Sequence, residues 1–340
     1  MSERLVVLAP NWLGDAVMAL PAIADLRRHF PDAQMSIAAR PAVAPMFTMV
    51  DGVDAVITLP GGGGMRALTG WSADVRVLSA GAFDTAVLLP NSFATAFIAS
   101  KAGIRERWGF ATDWRGSMLT RAIAKPASGQ HQRAYYQALT SALGIDPGPP
   151  FARVRPNAEK ARQLLRDIGL DLDEPFAVFA PGAAYGRAKQ WLPERFAELA
   201  DQIIHQRGWS VVMVGSDADR AACAEITRRL PQRDNRLNRL VDFCGKSDLA
   251  TLAGVLSQAA AVVSNDSGAM HLAGAVGTKV VAVFGPTNER RTSPLAAGPD
   301  SPVPVVITHD VFCRPCMLRE CPIDHRCMTR IPAAQVLKAI

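Results

Sequence analysis

The sequence predicts two doubly wound α/β domains in tandem, and three observations carry that prediction. Short apolar, β-rich runs alternate with amphipathic helical stretches along the chain. The runs are apolar throughout, which suits parallel strands covered by helices on both faces. A length of 340 residues suggests two ordinary cores, and the proline-rich text IDPGPPFARVRP at 145–156 supplies a connector between them.

In the first half the strand candidates are RLVVLA (4–9), MSIAA (35–39), DAVITL (54–59) and DTAVLL (84–89). Each is followed by helix-like text, such as DAVMALPAIADLRRHF after the first. GGGG at 61–64 reads as a mobile loop, because it lacks the spacing of a phosphate-binding fingerprint. Beyond the connector the strands are FAVFA (176–180), SVVMVG (210–215), LVDFC (240–244), AAVVSN (260–265) and KVVAVFG (279–285). The final IPAAQVLKAI reads as a short helix. The domains are therefore drawn at 1–153 and 154–340.

Apolar residues make up 49% and charged residues 20%, a globular composition. No run approaches the roughly 18 apolar residues of a membrane span. Asn11 and Asp15 interrupt the first apolar run, so it does not read as an export signal, and a cytoplasmic protein is expected. A formal charge of +6 favours an anionic partner: nucleic acid, an acidic lipid surface or a phosphorylated substrate. Aromatics are only 6%, too few for a single-strand stacking platform, so nucleic acid is not expected. A solvated basic surface accounts for the charge equally well.

Ligands of open α/β sheets bind outside the carboxyl ends of the strands. Asp15, in PNWLGDAVM after the first strand, sits at that edge, either capping the next helix or held there for chemistry. In SNDSGAMHLAGAVGT (264–278), Asp266, Ser267 and Gly268 open a helix whose free N–H groups suit phosphate, with His271 close behind. Plain capping explains the same residues, and His271 then becomes a partly buried helix residue. PGAAYGRAKQW (181–191) presents Arg187 and Lys189 on another strand-end loop, where a lysine can neutralise a diphosphate or simply be solvated. VGSDADR (214–220) offers Asp217 or Asp219 to ribose hydroxyls, with capping again the competing role.

PNWLGDAVMALPA, PGAAYGRAKQW, SNDSGAMHLAGAVGT, FGPT and CRPCMLRECPIDHRCM together resemble the ADP-heptose:lipopolysaccharide heptosyltransferases, most nearly the type II members of the inner-core pathway. The likeness runs over nearly the whole chain with the motifs in order. It implies a GT-B fold, two Rossmann-like domains facing a cleft, with the donor held mainly by the second. It also implies inverting transfer of L-glycero-D-manno-heptose from ADP-heptose to the first heptose of Kdo2-lipid A, with no cofactor or metal in the chemical step. The acceptor places the protein at the inner face of the cytoplasmic membrane.

By the same resemblance Asp15 is the general base and Lys189 the diphosphate contact. Asp266, Ser267, Gly268 and His271 form the donor loop, and Asp219 the ribose contact, with Asp217 competing. Asn11 and Arg40 are carried as acceptor contacts, and Arg27 and Arg28 are weighed with them against solvated helix faces. Two hydroxyl residues precede the lysine in the type I pattern; here Ala184 and Tyr185 stand there, which leans toward type II. In this fold type the last helix returns to the first domain.

Cys313, Cys316, Cys321 and Cys327 lie within fifteen residues, with His325 among them. C-x2-C is a structural zinc spacing, but C-x5-C is not a usual zinc-ribbon half, so reduced packing thiols are the preferred reading over a structural metal. Disulfides are not expected in a cytoplasmic chain, and Cys223 and Cys244 lie apart from the cluster. Three rivals remain: a nucleotide-sugar epimerase of this architecture, a heptosyltransferase of type I or III, and a non-catalytic nucleotide-binding module. Asp15 speaks against the module. The absence of G-x-G-x-x-G after either first strand speaks against a dinucleotide oxidoreductase.

Overall fold

A computed structural model describes residues 4–61, 67–231 and 239–340. The chain divides into two compact units, Met1–Val154 and Arg155–Ile340. In the first, β1 (Arg4–Leu8) leads into α1 (Leu13–Met18) and α2 (Leu20–His29). β2 (Gln34–Ala39), α3 (Ala44–Phe47), β3 (Ala55–Thr58) and α4 (Ala67–Ala80) follow. β4 (Thr85–Leu88), α5 (Phe93–Lys101), β5 (Glu106–Phe110), β6 (Arg121–Ile123) and α6 (Gln132–Ala142) complete it. The strands form one parallel sheet in the order β3-β2-β1-β4-β5-β6.

The second unit repeats the plan. It begins with α7 (Ala158–Asp167), β7 (Phe176–Ala180), α8 (Pro193–Gln202), β8 (Ser210–Met213), α9 (Arg220–Arg229) and β9 (Leu240–Asp242). α10 (Leu249–Gln258), β10 (Ala261–Asn265), α11 (Gly268–Ala275), β11 (Val280–Phe284) and α12 (Glu289–Thr292) come next. β12 (Val305–Thr308), α13 (Arg326–Thr329) and α14 (Ala333–Ala339) close the chain. Its parallel sheet runs β12-β11-β10-β7-β8-β9.

Each sheet reverses direction once, between β1 and β4 in the first and between β7 and β10 in the second. Loops diverge at such a point and leave a crevice at the carboxyl ends of the two strands. The central strands are covered on both faces: every residue of β10 and β11 is buried, as their unbroken apolar text requires. The sequence reading passes over β5, β6 and β12. β5 opens on Glu106 and Arg107, β6 is three residues long, and β12 is short and half-buried, so none carries a long apolar run. Of the GGGG stretch only Gly61 lies among the described residues.

One expectation, that no disulfide forms, is corrected. The last helix packs on α8 of its own unit, where Ala333 and Val336 join the core formed around Trp191. The Trp191 indole N–H donates to the carbonyl of Ile331 at 3.0 Å, and Lys279 Nζ to that of Ile340 at 2.6 Å. Cys223 and Cys244 are joined in a disulfide, with Cα atoms 6.8 Å apart. The β8–α9–β9 crossover brings the buried face of α9 against the end of β9, which the sequence distance of 21 residues conceals.

Candidate active site

At the β7/β10 reversal, loops from both strands bring opposite charges together. Lys189 Nζ lies 2.6 Å from Asp266 Oδ2, with side-chain exposures of 14% and 7%. The same carboxylate oxygen accepts from the Thr287 hydroxyl at 2.7 Å. A carboxylate withdrawn from water keeps its charge only when such partners satisfy it. Asn265 locks the two loops at their roots. Its Oδ1 accepts from Trp191 N–H at 2.9 Å and its Nδ2 donates to Pro181 O at 2.6 Å.

Ser267 stands at the N-cap of α11 in extended conformation, and its side chain makes no capping bond. Gly268 is the first helical residue, so the first backbone N–H groups of α11 lie beside the Lys189–Asp266 pair. Ser267 Oγ instead lies 3.1 Å from Ser264 Oγ. His271 is 3% exposed, one turn into the same helix. Lys189 also stands 4.8 Å from the ring centre of Tyr185, as a cation over an aromatic face.

Asp219 and Asp217 separate clearly. Asp219 Oδ2 accepts from Ser216 N–H at 2.9 Å and Ser216 Oγ at 2.7 Å, closing a capping box. A side chain at Gly182 would strike this carboxylate, so Asp219 lies against the end of β7. Asp217 is 82% exposed and pairs with Arg220 at 2.8 Å. Asp219 is the one placed at the site edge.

The cysteine-rich segment serves this site from behind. Ala188, next to Lys189, donates its N–H to Arg319 O at 2.9 Å, and its carbonyl lies 2.7 Å from His325 Nε2. Arg314 donates from Nε to Gly285 O at 2.6 Å and from Nη2 to Thr287 O at 3.2 Å. The four cysteines and His325 line one small pocket. Burial, and then the neighbouring thiols, push the Cys327 thiol up. Among the described residues the group with three ligand atoms within 4.8 Å of one another is Cys223, Asp242 and Cys244, and its two sulfurs are bonded together.

In the first unit Asp15 occupies the third position of α1; the N-cap is Trp12, which offers no side-chain cap. Asp15 is therefore not the cap residue; it stands in the first turn, where a negative charge complements the helix dipole. The phenol of Tyr136, on α6, lies 3.5 Å from Asp15 Oδ1. Burial first, and the Asp15 charge second, raise the Tyr136 phenol well above its ordinary range, so it stays protonated. Asn11 is exposed on the loop between β1 and α1.

The arginines carried as acceptor contacts are held in the fold. Arg40 Nη1 pairs with the fully buried Asp74 at 2.7 Å and donates to Gly61 O at 2.6 Å and Leu59 O at 3.2 Å. Arg27 pairs with Asp54 and donates to Gly52 O at 2.8 Å. Arg28 joins Asp25 at 3.0 Å and Asp146 O at 2.7 Å. Residues the sequence reading gave no role are Thr287, Asn265, Tyr136 and His325. Thr287 could have been found, since FGPT follows a strand at the ligand edge; the other three are brought in by tertiary contact alone.

Residues 72–325 match glycosyltransferase family 9 (heptosyltransferase). The chain belongs to that family. Among its relatives is lipooligosaccharide heptosyltransferase 2 of Haemophilus influenzae, 30% identical over 304 residues that cover 86% of each chain. Lipopolysaccharide heptosyltransferase 2 of Escherichia coli is 29% identical over 302 residues, again 86% of each. The solved structure of E. coli ADP-heptose lipopolysaccharide heptosyltransferase II superposes with a TM-score of 0.83 at 25% identity, covering 99% of this chain and 97% of that one. The paired parallel sheets of this family 9 chain are thus those of the GT-B fold. A family 9 glycosyltransferase, rather than an epimerase or a binding module, is the reading these likenesses favour.

Proposed function

We propose that the chain transfers L-glycero-D-manno-heptose from ADP-heptose to the first heptose of the Kdo2-lipid A inner core, with inversion and without a metal in the chemical step. The observation that carries the donor half is the Lys189–Asp266 pair beside the first N–H groups of α11. A departing diphosphate gains negative charge as the glycosidic bond breaks. Lys189 and the helix start supply preorganised positive charge to receive it. Asp266 and Thr287 aim the lysine, Asp219 meets the ribose, and His271 supports the donor loop from within α11.

On the acceptor side Asp15 takes the hydroxyl proton as the oxygen attacks the anomeric carbon. The transition state carries oxocarbenium-like charge on the sugar, which the same carboxylate steadies. Tyr136, kept protonated, orients that carboxylate. Asn11 is the neighbouring acceptor contact, and Arg40 acts there only through the loop it holds. The chain works in the cytoplasm at the inner face of the membrane, drawn by its charge of +6 to an anionic surface. Among the described residues no helix is long and apolar enough to cross the membrane. Mass spectrometry of heptosyl-Kdo2-lipid A incubated with ADP-heptose and the protein tests the proposal. Addition of one heptose supports it, and an unchanged acceptor contradicts it.

A further inference from the structure

The first unit exposes a tryptophan in a way that its own packing does not reward. Trp114, on the turn between β5 and β6, is 94% exposed. Asp113 and Trp114 both adopt left-handed backbone, with φ of 49° and 58°. A bulky residue takes that conformation only where its surroundings enforce it. The enforcement lies on either side. Asp113 Oδ2 accepts from Phe93 N–H at 2.6 Å. Arg115 is wholly buried, donating from Nε to Phe110 O at 2.9 Å and from Nη1 to the carbonyls of Pro90 and Ser92. Gly109 leaves room for that guanidinium, since a Cβ there would stand 3.1 Å from Arg115 Nη2. Two anchored residues thus hold an indole outward. Trp12 is 67% exposed on the loop after β1, at the same carboxyl edge of the sheet, with only β4 between β1 and β5.

We infer that Trp114, seconded by Trp12, seats the first unit on an anionic lipid bilayer at headgroup level. A saccharide subsite half-buries its aromatic ring, whereas the Trp114 indole is 94% exposed. It suits a flat, soft partner, and tryptophan is the side chain that settles where one end is apolar and the other wet. The charge of +6 supplies long-range attraction to an anionic surface. The inference rests on the proposed function only in its reason for reaching a bilayer, the lipid-borne acceptor.

The test uses co-sedimentation of the full chain with vesicles of three parts phosphatidylcholine to one part phosphatidylglycerol, without donor or acceptor. Trp114→Ala should lower partitioning by about five- to thirtyfold, while Trp114→Phe retains most of it and both keep the wild-type circular dichroism. Equal partitioning of wild type and Trp114→Ala, or no partitioning of either, overturns the inference. Unchanged partitioning with a raised KM for a deacylated, water-soluble acceptor also overturns it and assigns the indole to the sugar. Trp114-dependent partitioning by a protein that transfers no heptose upholds the anchor and counts against the transferase reading alone.

Discussion

Lys189 Nζ lies 2.6 Å from Asp266 Oδ2 at the point where the second sheet reverses its strand order. The lysine comes from the loop after β7 and the aspartate from the loop after β10, so the pair exists only once both strands have docked. Each charge is the main reason the other can remain there out of water.

Lys189→Ala is expected to lower kcat by about 100- to 1000-fold and to weaken ADP binding, because the diphosphate loses its cation in both ground and transition states. Asp266→Ala leaves a lysine that is 14% exposed without its counter-ion, so it should lower thermal stability as well as donor affinity. Calorimetric titration with ADP, beside thermal melts, checks both. Unchanged ADP affinity in the lysine variant contradicts its diphosphate role.

Asp15→Ala should behave differently. Asp15 sits in the first unit, beside Tyr136. Turnover is expected to collapse while ADP affinity stays within about twofold of wild type. Near-normal turnover would remove the base assignment.

Tyr136 makes a prediction in pH. Burial, with the Asp15 charge second, raises its phenol above the ordinary 10.0. In the unfolded chain the phenol ionises near 10, whereas in the native protein it stays protonated. The stability this group contributes is therefore complete below about pH 10 and is lost as the pH rises beyond it. Urea unfolding at about pH 9 and about pH 11 should show a steeper alkaline loss for wild type than for Tyr136→Phe. Parallel losses would contradict the buried, neutral phenol.

Arg40 is predicted to matter for stability before it matters for substrate. Arg40→Ala leaves Asp74, 0% exposed, without its cation, a change of about 3–5 kcal/mol for a buried pair. Chemical denaturation measures the loss. A variant with wild-type stability and a raised acceptor KM would restore Arg40 as a direct contact.

Much of the site could be read before any coordinates because its residues follow strands whose apolar text is unmistakable. Asp15, Lys189, Asp266 and Asp219 each follow such a strand by nine residues or fewer, and a doubly wound sheet sends those loops to one edge. What stayed hidden needs a partner far along the chain. The Cys223–Cys244 bond, the Tyr136–Asp15 contact 121 residues apart and the Ala188–His325 contact 137 residues apart leave no local periodicity. Arg40 misleads for a related reason: an arginine at a strand end reads as available for an anion, and its buried acid, Asp74, lies 34 residues on. Trp114 carries no local signal, because β5 and β6, which frame its turn, are too short or too polar to read as strands.

The central claim is heptose transfer to an already heptosylated acceptor. The most direct measurement is ADP release from ADP-heptose with no acceptor, with Kdo2-lipid A, or with heptosyl-Kdo2-lipid A, for wild type and Asp15→Ala. Release by wild type only with the heptosylated acceptor, and its loss in the variant, is the predicted result. Release with Kdo2-lipid A alone would contradict the second-heptose assignment, and silence with all three, from folded protein that binds ADP, would contradict the transfer itself.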